Sequence, residues 1–149
     1  MNKIQIGKRE IVHFIGIGGI GMSGLAQIMK TMGFNVQGSD LNENKNTDNC
    51  KKLGIKILKS HSKKNILNAT IIVKSSAIKK NNIELLYSKK RKIPSYDRIE
   101  MLANIIDLKK KIIVTGSHGK TTTTSLVAKI ISTARLDPTI INGGVINSL

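Results

Sequence analysis

Two short stretches of this sequence carry the residue types that handle phosphate groups. The first, Gly16-Ile17-Gly18-Gly19-Ile20-Gly21, has the G-x-G-x-x-G spacing. Glycines at these places let the chain turn tightly and bring backbone N–H groups close to a diphosphate at a helix N-terminus, where partial positive charge favours an anion. Asp40, 19 residues after Gly21, stands where a carboxylate can accept hydrogen bonds from ribose hydroxyls. The second stretch, Gly116-Ser117-His118-Gly119-Lys120-Thr121-Thr122, reads G-x-x-G-K-T. Its amides can cradle phosphates, the Lys120 ammonium reaches the outer phosphates of a nucleoside triphosphate, and the Thr121 hydroxyl can ligate Mg²⁺. Val114 stands where the usual G-x-x-x-x-G-K-[ST] pattern has its first glycine, so the assignment leans on the strand expected before the loop and the helix after it. His118 reads as positional rather than as a catalytic base.

The elements that must position these loops follow from periodicity and punctuation. Ile11 to Ile15 is a short apolar strand, Ile20 to Met32 a helix with Leu25, Ile28, Met29 and Met32 on one face, and Gly33 its stop. Asn35 to Ser39 is a second strand ending at Asp40. A helix from Thr47 to Leu53, closed by Gly54, leads to strands at Ile55 to Leu58 and Thr70 to Lys74. Ile83 to Lys90 reads as helix, Lys92 to Pro94 as a short strand, and Tyr96 to Ile106 as an amphipathic helix. Such alternation predicts an α/β fold, a Rossmann-like parallel sheet with helices on both faces, over residues 1–108. The polar, basic stretch Asp107 to Lys111 then marks a boundary. Residues 109–149 supply a strand at Lys111 to Thr115, the second loop, a helix from Lys120 to Ala134 and a strand at Thr139 to Ile141. They are expected to be the truncated start of a P-loop ATPase α/β domain, so the chain is expected to stop in mid-fold.

Composition removes several other functions. The chain has 149 residues, 40% of them hydrophobic, which suffices for a core. With two Tyr, two Phe and no Trp, it has no aromatic platform on which bases or sugars could stack. Its single cysteine, Cys50, excludes an internal disulfide framework and any multi-cysteine zinc site. Ile, Lys and Asn number 25, 21 and 13, residues that share A/T-rich codons, so the net charge of +16 reflects drift in composition. Lysines are scattered in small groups and Arg numbers only four, which argues against a nucleic-acid surface. His13, His61 and His118 show no metal-ligand spacing, and His61 is expected in a surface loop. The charge-free run from Ile11 to Met29 has the length of a membrane span, but five glycines within it oppose a continuous helix. No membrane insertion is expected.

With both loops in one chain, a plain nicotinamide-binding domain and a plain P-loop ATPase each leave one motif unexplained. The sequence resembles the Mur ligase family over nearly its whole length. The matching stretches are His13-Phe14-Ile15-Gly16-Ile17-Gly18-Gly19-Ile20-Gly21-Met22-Ser23-Gly24-Leu25-Ala26, Gly38-Ser39-Asp40, Ser75-Ser76-Ala77-Ile78, Arg98-Ile99-Glu100-Met101-Leu102, Gly116 through Thr124, and Asn142-Gly143-Gly144. The first of these has the wording of the members that add L-alanine to UDP-N-acetylmuramate in peptidoglycan synthesis.

The resemblance implies a three-domain, ATP-dependent, amide-forming ligase of the bacterial cytoplasm that works through an acyl phosphate, with ATP and Mg²⁺ as cofactors and UDP-N-acetylmuramate and L-alanine as substrates. Carried over residue by residue, Gly16, Gly18, Gly19, Ile20, Gly21, Met22 and Ser23 would meet the UDP diphosphate and Asp40 the uridine end. Ser75, Ser76 and Arg98 would line the same crevice. Gly116, Ser117, His118, Gly119, Lys120, Thr121 and Thr122 would bind ATP, with Lys120 catalytic and Thr121 on the metal. Residues that meet adenine and L-alanine would lie beyond Leu149, and the chain is not expected to turn over alone. Read without the family, the residues leave a second possibility open, a non-catalytic nucleotide or NAD-binding module. On that reading Ser75-Ser76 is simply a polar turn and Met22 a core residue.

Overall fold

The computed structural model describes residue 4, residues 6–142 and, as backbone, 145–148. Five strands form a wholly parallel sheet: β1 (Ile11–Ile15), β2 (Asn35–Asp40), β3 (Lys56–Lys59), β4 (Ile71–Lys74) and β5 (Ser95–Asp97), in the order β3-β2-β1-β4-β5. The central strand Ile-Val-His-Phe-Ile is buried almost throughout, as a parallel strand covered on both faces requires. Because side chains alternate, Val12 and Phe14 join Ile71 and Val73 in the larger core cluster, while Ile15 and Ile72 enter a second cluster on the other face.

Three helices cover the first face. In α1 (Ile20–Thr31), Met22, Leu25, Ala26, Ile28 and Met29 turn into the core, and the helix stops before Gly33, whose φ of +86° suits a residue without Cβ. Helix α2 (Lys45–Lys52) starts earlier than its apolar pattern suggested because Asn44 caps it: its side chain accepts from the Asn46 and Thr47 amides, and the Thr47 hydroxyl answers to the Asn44 amide. In α4 (Arg98–Asp107), Met101 and Ile105 complete this layer, and the Glu100 carboxylate accepts from the Asp97 amide. On the opposite face lie α3 (Ile83–Lys90), capped by Asn82, and a 3₁₀ turn at Lys63–Ile66.

The strand expected at Lys92 to Pro94 forms three residues later. Lys92 has a left-handed φ of +55° and proline has no N–H to give to a ladder, although the Pro94 carbonyl accepts from the Ile72 amide. The strand expected at Lys111 to Thr115 does not form. No strand pairs with it among the described residues, and Ile112 and Ile113 are 67% and 72% exposed. Beyond it, α5 (Lys120–Thr133) forms as expected. Then β6 (Thr139–Asn142) pairs antiparallel with β7 (Val145–Ser148) in a separate two-stranded sheet. Ile141 packs against the larger core cluster. Gly143 and Gly144, the end of the last matching stretch, lie outside the described residues. No described helix is long and apolar enough to cross a membrane.

Candidate functional site

The carboxyl ends of four adjacent strands converge where the chain reverses its direction of winding, between β1 and β4, the place where open parallel sheets bind ligands. At the end of β1, Gly16 turns with φ +80°, and its amide and that of Ile17 both donate to the Ser39 carbonyl of β2, at 2.9 and 3.1 Å. A Cβ on Gly16 would lie 3.3 Å from Ser75 Cβ and 3.2 Å from Ile78 Cδ1, so the turn is seated on the loop after β4. Gly18 donates to Asp40 Oδ2 at 2.7 Å, and its carbonyl accepts from Asn44 Nδ2 (3.2 Å) and Asn46 Nδ2 (2.8 Å). Gly19 then opens α1, whose first turn carries no acidic residue, so its positive end is uncompensated from within.

Arg98 completes this constellation. A Cβ on Gly21 would sit 3.0 Å from Arg98 Cζ and Nε, so the guanidinium of α4 lies against the first turn of α1. Beside it Lys74, at the end of β4, pairs with Asp97 at the end of β5. A helix N-terminus with a guanidinium against its first turn suits an anion.

The expected residues divide in two. Gly16, Gly18, Gly19, Gly21, Asp40, Ser75 and Arg98 come together, with the exposed Ile20 at the start of α1. Ser76, the neighbour of Ser75, is exposed. Met22 and Ser23 are buried: Met22 belongs to the core, and the Ser23 hydroxyl donates back to the Ile20 carbonyl. They are the footing of the turn, and their side chains do not face the crevice as ligand groups would.

The second loop has its own geometry. Gly119 caps α5 in the left-handed region, with φ +74°, and Gly116 has φ +147°, conformations that L side chains rarely adopt. Lys120 Nζ folds back to donate to the Gly116 and Ser117 carbonyls, at 2.5 and 3.1 Å, spanning the loop that it would share with a phosphate chain. Gly116, Ser117, His118, Thr121 and Thr122 are all exposed. Among the described residues no group of three or more His, Cys, Asp or Glu could hold a metal ion.

Residues 11–110 match the family described as Mur ligase family, catalytic domain. The chain belongs to the Mur ligase family. It is 66% identical over 147 residues to a UDP-N-acetylmuramate–L-alanine ligase of Pelagibacter ubique (strain HTCC1062), covering 99% of this chain and 32% of that relative. It is 55% identical over 139 residues to the enzyme so named from Rickettsia bellii (strain OSU 85-389), covering 93% of this chain and 29% of the other. The chain therefore spans about a third of the length of these curated relatives. Among solved structures, the UDP-N-acetylmuramate–alanine ligase of Thermotoga maritima superimposes with a TM-score of 0.77 at 36% identity, covering 89% of this chain and 31% of the other. The UDP-N-acetylmuramate:L-alanyl-gamma-D-glutamyl-meso-diaminopimelate ligase of Neisseria meningitides does so with 0.77 at 29% identity, covering 91% and 43%. These Mur ligase neighbours share the α/β architecture.

Motif reading missed three groups, two at this crevice and one on the α3 face of the sheet. Asn44 and Asn46 clamp the Gly18 carbonyl, and the N-x-x-T capping spacing of Asn44 and Thr47 was the available signal. Lys74 sits beside the crevice. Most unexpected, His13 and His61, 48 positions apart, meet around the buried Glu84.

Proposed function

We propose that this chain supplies the UDP-sugar site and the phosphate loop of an ATP-dependent enzyme that joins L-alanine to UDP-N-acetylmuramate. The observation that carries the reading is the convergence of Arg98, Ser75 and the Gly16–Gly21 turn at the N-terminus of α1, in a chain 66% identical to a relative of that name. Residues 1–108 are then the UDP-sugar domain and 109–149 the beginning of the ATP-binding domain of a cytoplasmic enzyme.

On this reading the UDP diphosphate lies over the start of α1, where the Gly19 to Gly21 peptide groups and the Arg98 guanidinium meet its charge. Asp40, whose Oδ2 accepts from the Gly18 amide and whose Oδ1 accepts from the Asn42 amide, keeps a further lone pair on each oxygen for the ribose. A carboxylate oxygen of the muramyl group attacks the γ-phosphorus of ATP and ADP departs, leaving an acyl phosphate. The L-alanine amine then attacks the carbonyl carbon, loses a proton, and expels phosphate as the amide forms. Lys120 exchanges its bonds to the Gly116 and Ser117 carbonyls for phosphate oxygens and stabilises the charge carried through the transfer. The exposed Thr121 hydroxyl in the first turn of α5 fits as one ligand of a magnesium ion, which would neutralise phosphate charge when bound.

Calorimetric titration of the chain with UDP-N-acetylmuramate and separately with NAD tests the proposal. Saturable binding of the UDP-sugar is expected, and tight NAD binding with no response to the UDP-sugar would overturn it.

A further inference from the structure

Away from both phosphate loops, a cluster of ionisable side chains is buried against the α3 face of the sheet. Glu84, in the first turn of α3, is fully buried. Its Oε2 accepts from the Ser39 hydroxyl at 2.6 Å and faces His61 Nδ1 at 3.0 Å and His13 Nε2 at 3.6 Å. Its Oε1 accepts from Asn65 Nδ2 at 2.6 Å and from the Ser62 amide at 3.2 Å.

Donor chemistry fixes the protons. Gln37 Nε2 donates to the Asn65 carbonyl at 2.9 Å, which identifies that atom as the amide nitrogen, and it lies 3.1 Å from His13 Nδ1. His13 Nδ1 therefore accepts, and its ring proton sits on Nε2, aimed at Glu84. His61 Nδ1 lies 3.0 Å from Glu84 Oε2 and 3.1 Å from the Ser39 hydroxyl, whose own proton goes to the carboxylate, so this nitrogen too is a donor. Hydrogen-bond donors thus converge on both oxygens from β2, the loop after β3 and the 3₁₀ turn, while His13 Nε2 on β1 faces Oε2 from 3.6 Å without closing a hydrogen bond. Only a carboxylate accepts at both ends, and a carboxamide would turn its NH₂ against a donor in either orientation.

Ser39 joins this cluster to the crevice, since its hydroxyl is held by Glu84 while its carbonyl accepts from the Gly16 and Ile17 amides. A buried charged group of this kind adds less to stability than an apolar one of similar shape, and its better-attested use is to fix one geometry. We propose that Glu84 is a positioning residue for the phosphate-binding turn: by holding the Ser39 side chain it fixes the carbonyl against which Gly16 and Ile17 are set, and so tunes affinity for a UDP-sugar diphosphate that it never touches. The inference rests on reading that turn as the diphosphate site.

Two variants test it. Ser39→Ala cuts the link and leaves Glu84 its other donors, and Glu84→Gln breaks the cluster while keeping its shape. Hydrogen exchange of the Gly16 and Ile17 amides needs no ligand, and calorimetry with UDP-N-acetylmuramate is run on variants shown by circular dichroism to be folded. Both variants are expected to speed exchange at Gly16 and Ile17 about tenfold relative to Ile72, and to weaken the UDP-sugar about tenfold, the scale of one lost hydrogen bond. The double variant is expected to bind no more weakly than Glu84→Gln, because both changes act through one link. If Glu84→Gln does not fold, Ser39→Ala alone decides. Unchanged exchange and affinity in folded Ser39→Ala, or fully additive losses in the double variant, would overturn the proposal. Accelerated exchange in a chain whose unaltered form ignores the UDP-sugar would support the positioning and overturn the site reading instead.

Discussion

The Gly18 amide donates to the Asp40 carboxylate at 2.7 Å, tying the second glycine of the G-x-G-x-x-G turn to the acid that ends the neighbouring strand. On its other side the Gly18 carbonyl is gripped by Asn44 and Asn46 from the start of α2. One residue thus joins the end of β1 to β2 and α2, and a Cβ on Gly18 would lie 2.9 Å from Asp40 Oδ2 and 3.0 Å from Asn44 Nδ2.

Alanine substitutions at Gly18 and Gly38 are therefore expected to differ in kind. At Gly18 the obstacles are ends of side chains that can swing away, so Gly18→Ala should cost about 1 kcal/mol, the scale of one hydrogen bond. At Gly38 a Cβ would meet the Phe14 carbonyl of β1 at 2.8 Å and Ile17 Cδ1 at 2.6 Å, and the sheet backbone cannot yield. Gly38→Ala should cost about 3 kcal/mol, the upper range for overpacking. Urea denaturation of the two variants checks the order, and a Gly18 variant less stable than the Gly38 variant would contradict it.

How far the sequence announces all this depends on how local the cause is. The strand Ile11–Ile15 and the helix Ile83–Lys90 are set by contiguous apolar residues and flanking caps, and both appear with the bounds that pattern implies. The start of α2 was hidden because the capping Asn44 stands among other polar residues, where the N-x-x-T spacing to Thr47 is a weak signal beside the apolar pattern. Lys111 to Thr115 carries a strand's residues, yet a parallel strand exists only beside a partner, and local pattern is silent about partners. The same reason explains the cluster at Glu84, whose donors come from positions 39 to 65 and are gathered by topology alone.

The two loops should be separable by mutation. On the proposed function, Lys120→Ala in a ligase that carries this segment is expected to abolish alanine-dependent ADP release, a loss of about a thousandfold or more. It should leave UDP-N-acetylmuramate affinity nearly intact, because the Gly16 turn is built from other elements. Thr121→Ala should raise the Mg²⁺ concentration needed for half-maximal rate. Parallel loss of UDP-sugar binding in Lys120→Ala, measured by calorimetry, would show that the two motifs form one site.

Acid should act through Glu84. Burial alone would raise its pKa, but the nearby His13 ring and hydrogen bonds from Ser39 and Asn65 outweigh that and pull the carboxyl down from its ordinary 4.5 to about 2. A depressed folded pKa means stabilisation that is complete above pH 4.5 and disappears as pH falls toward 2, a difference of about 3 kcal/mol for a shift of this size. Denaturation curves between pH 5 and pH 2.5 should accordingly show a steep loss that is flattened in Glu84→Gln. Equal slopes in the two proteins would mean that the carboxyl titrates normally.

Cys50 should be silent in the folded protein. It is fully buried in the larger core cluster, and burial pushes its thiol up to about 11 against a smaller opposing effect from Gln27. The thiolate, the reactive form, is then scarce at pH 8 and shielded from reagent. A colorimetric disulfide reagent should label about one thiol per chain in denaturant and almost none without it. Rapid labelling of the native chain would place Cys50 outside the core.

The final expectation concerns the segment after α4. Residues 109–119 contain no helix or strand, and Ile112, Ile113, Leu126 and Ile130 are 62% to 72% exposed, whereas β1 and β4 at the centre of the sheet are buried between helices. Amide protection requires a hydrogen bond that opens rarely, and opening is cheap where few apolar contacts are lost. Exchange should therefore be slow through most of Ile11 to Asp107 and fast from Lys109 to Gly119. In α5 it should be intermediate, because Ala128 is buried there while Leu126 and Ile130 face solvent. The same apolar side chains form a surface that favours association, so protection in α5 should rise with protein concentration. Protection that is uniform through Asn142 and independent of concentration in a monomer would show instead that these side chains are covered by the chain's own fold.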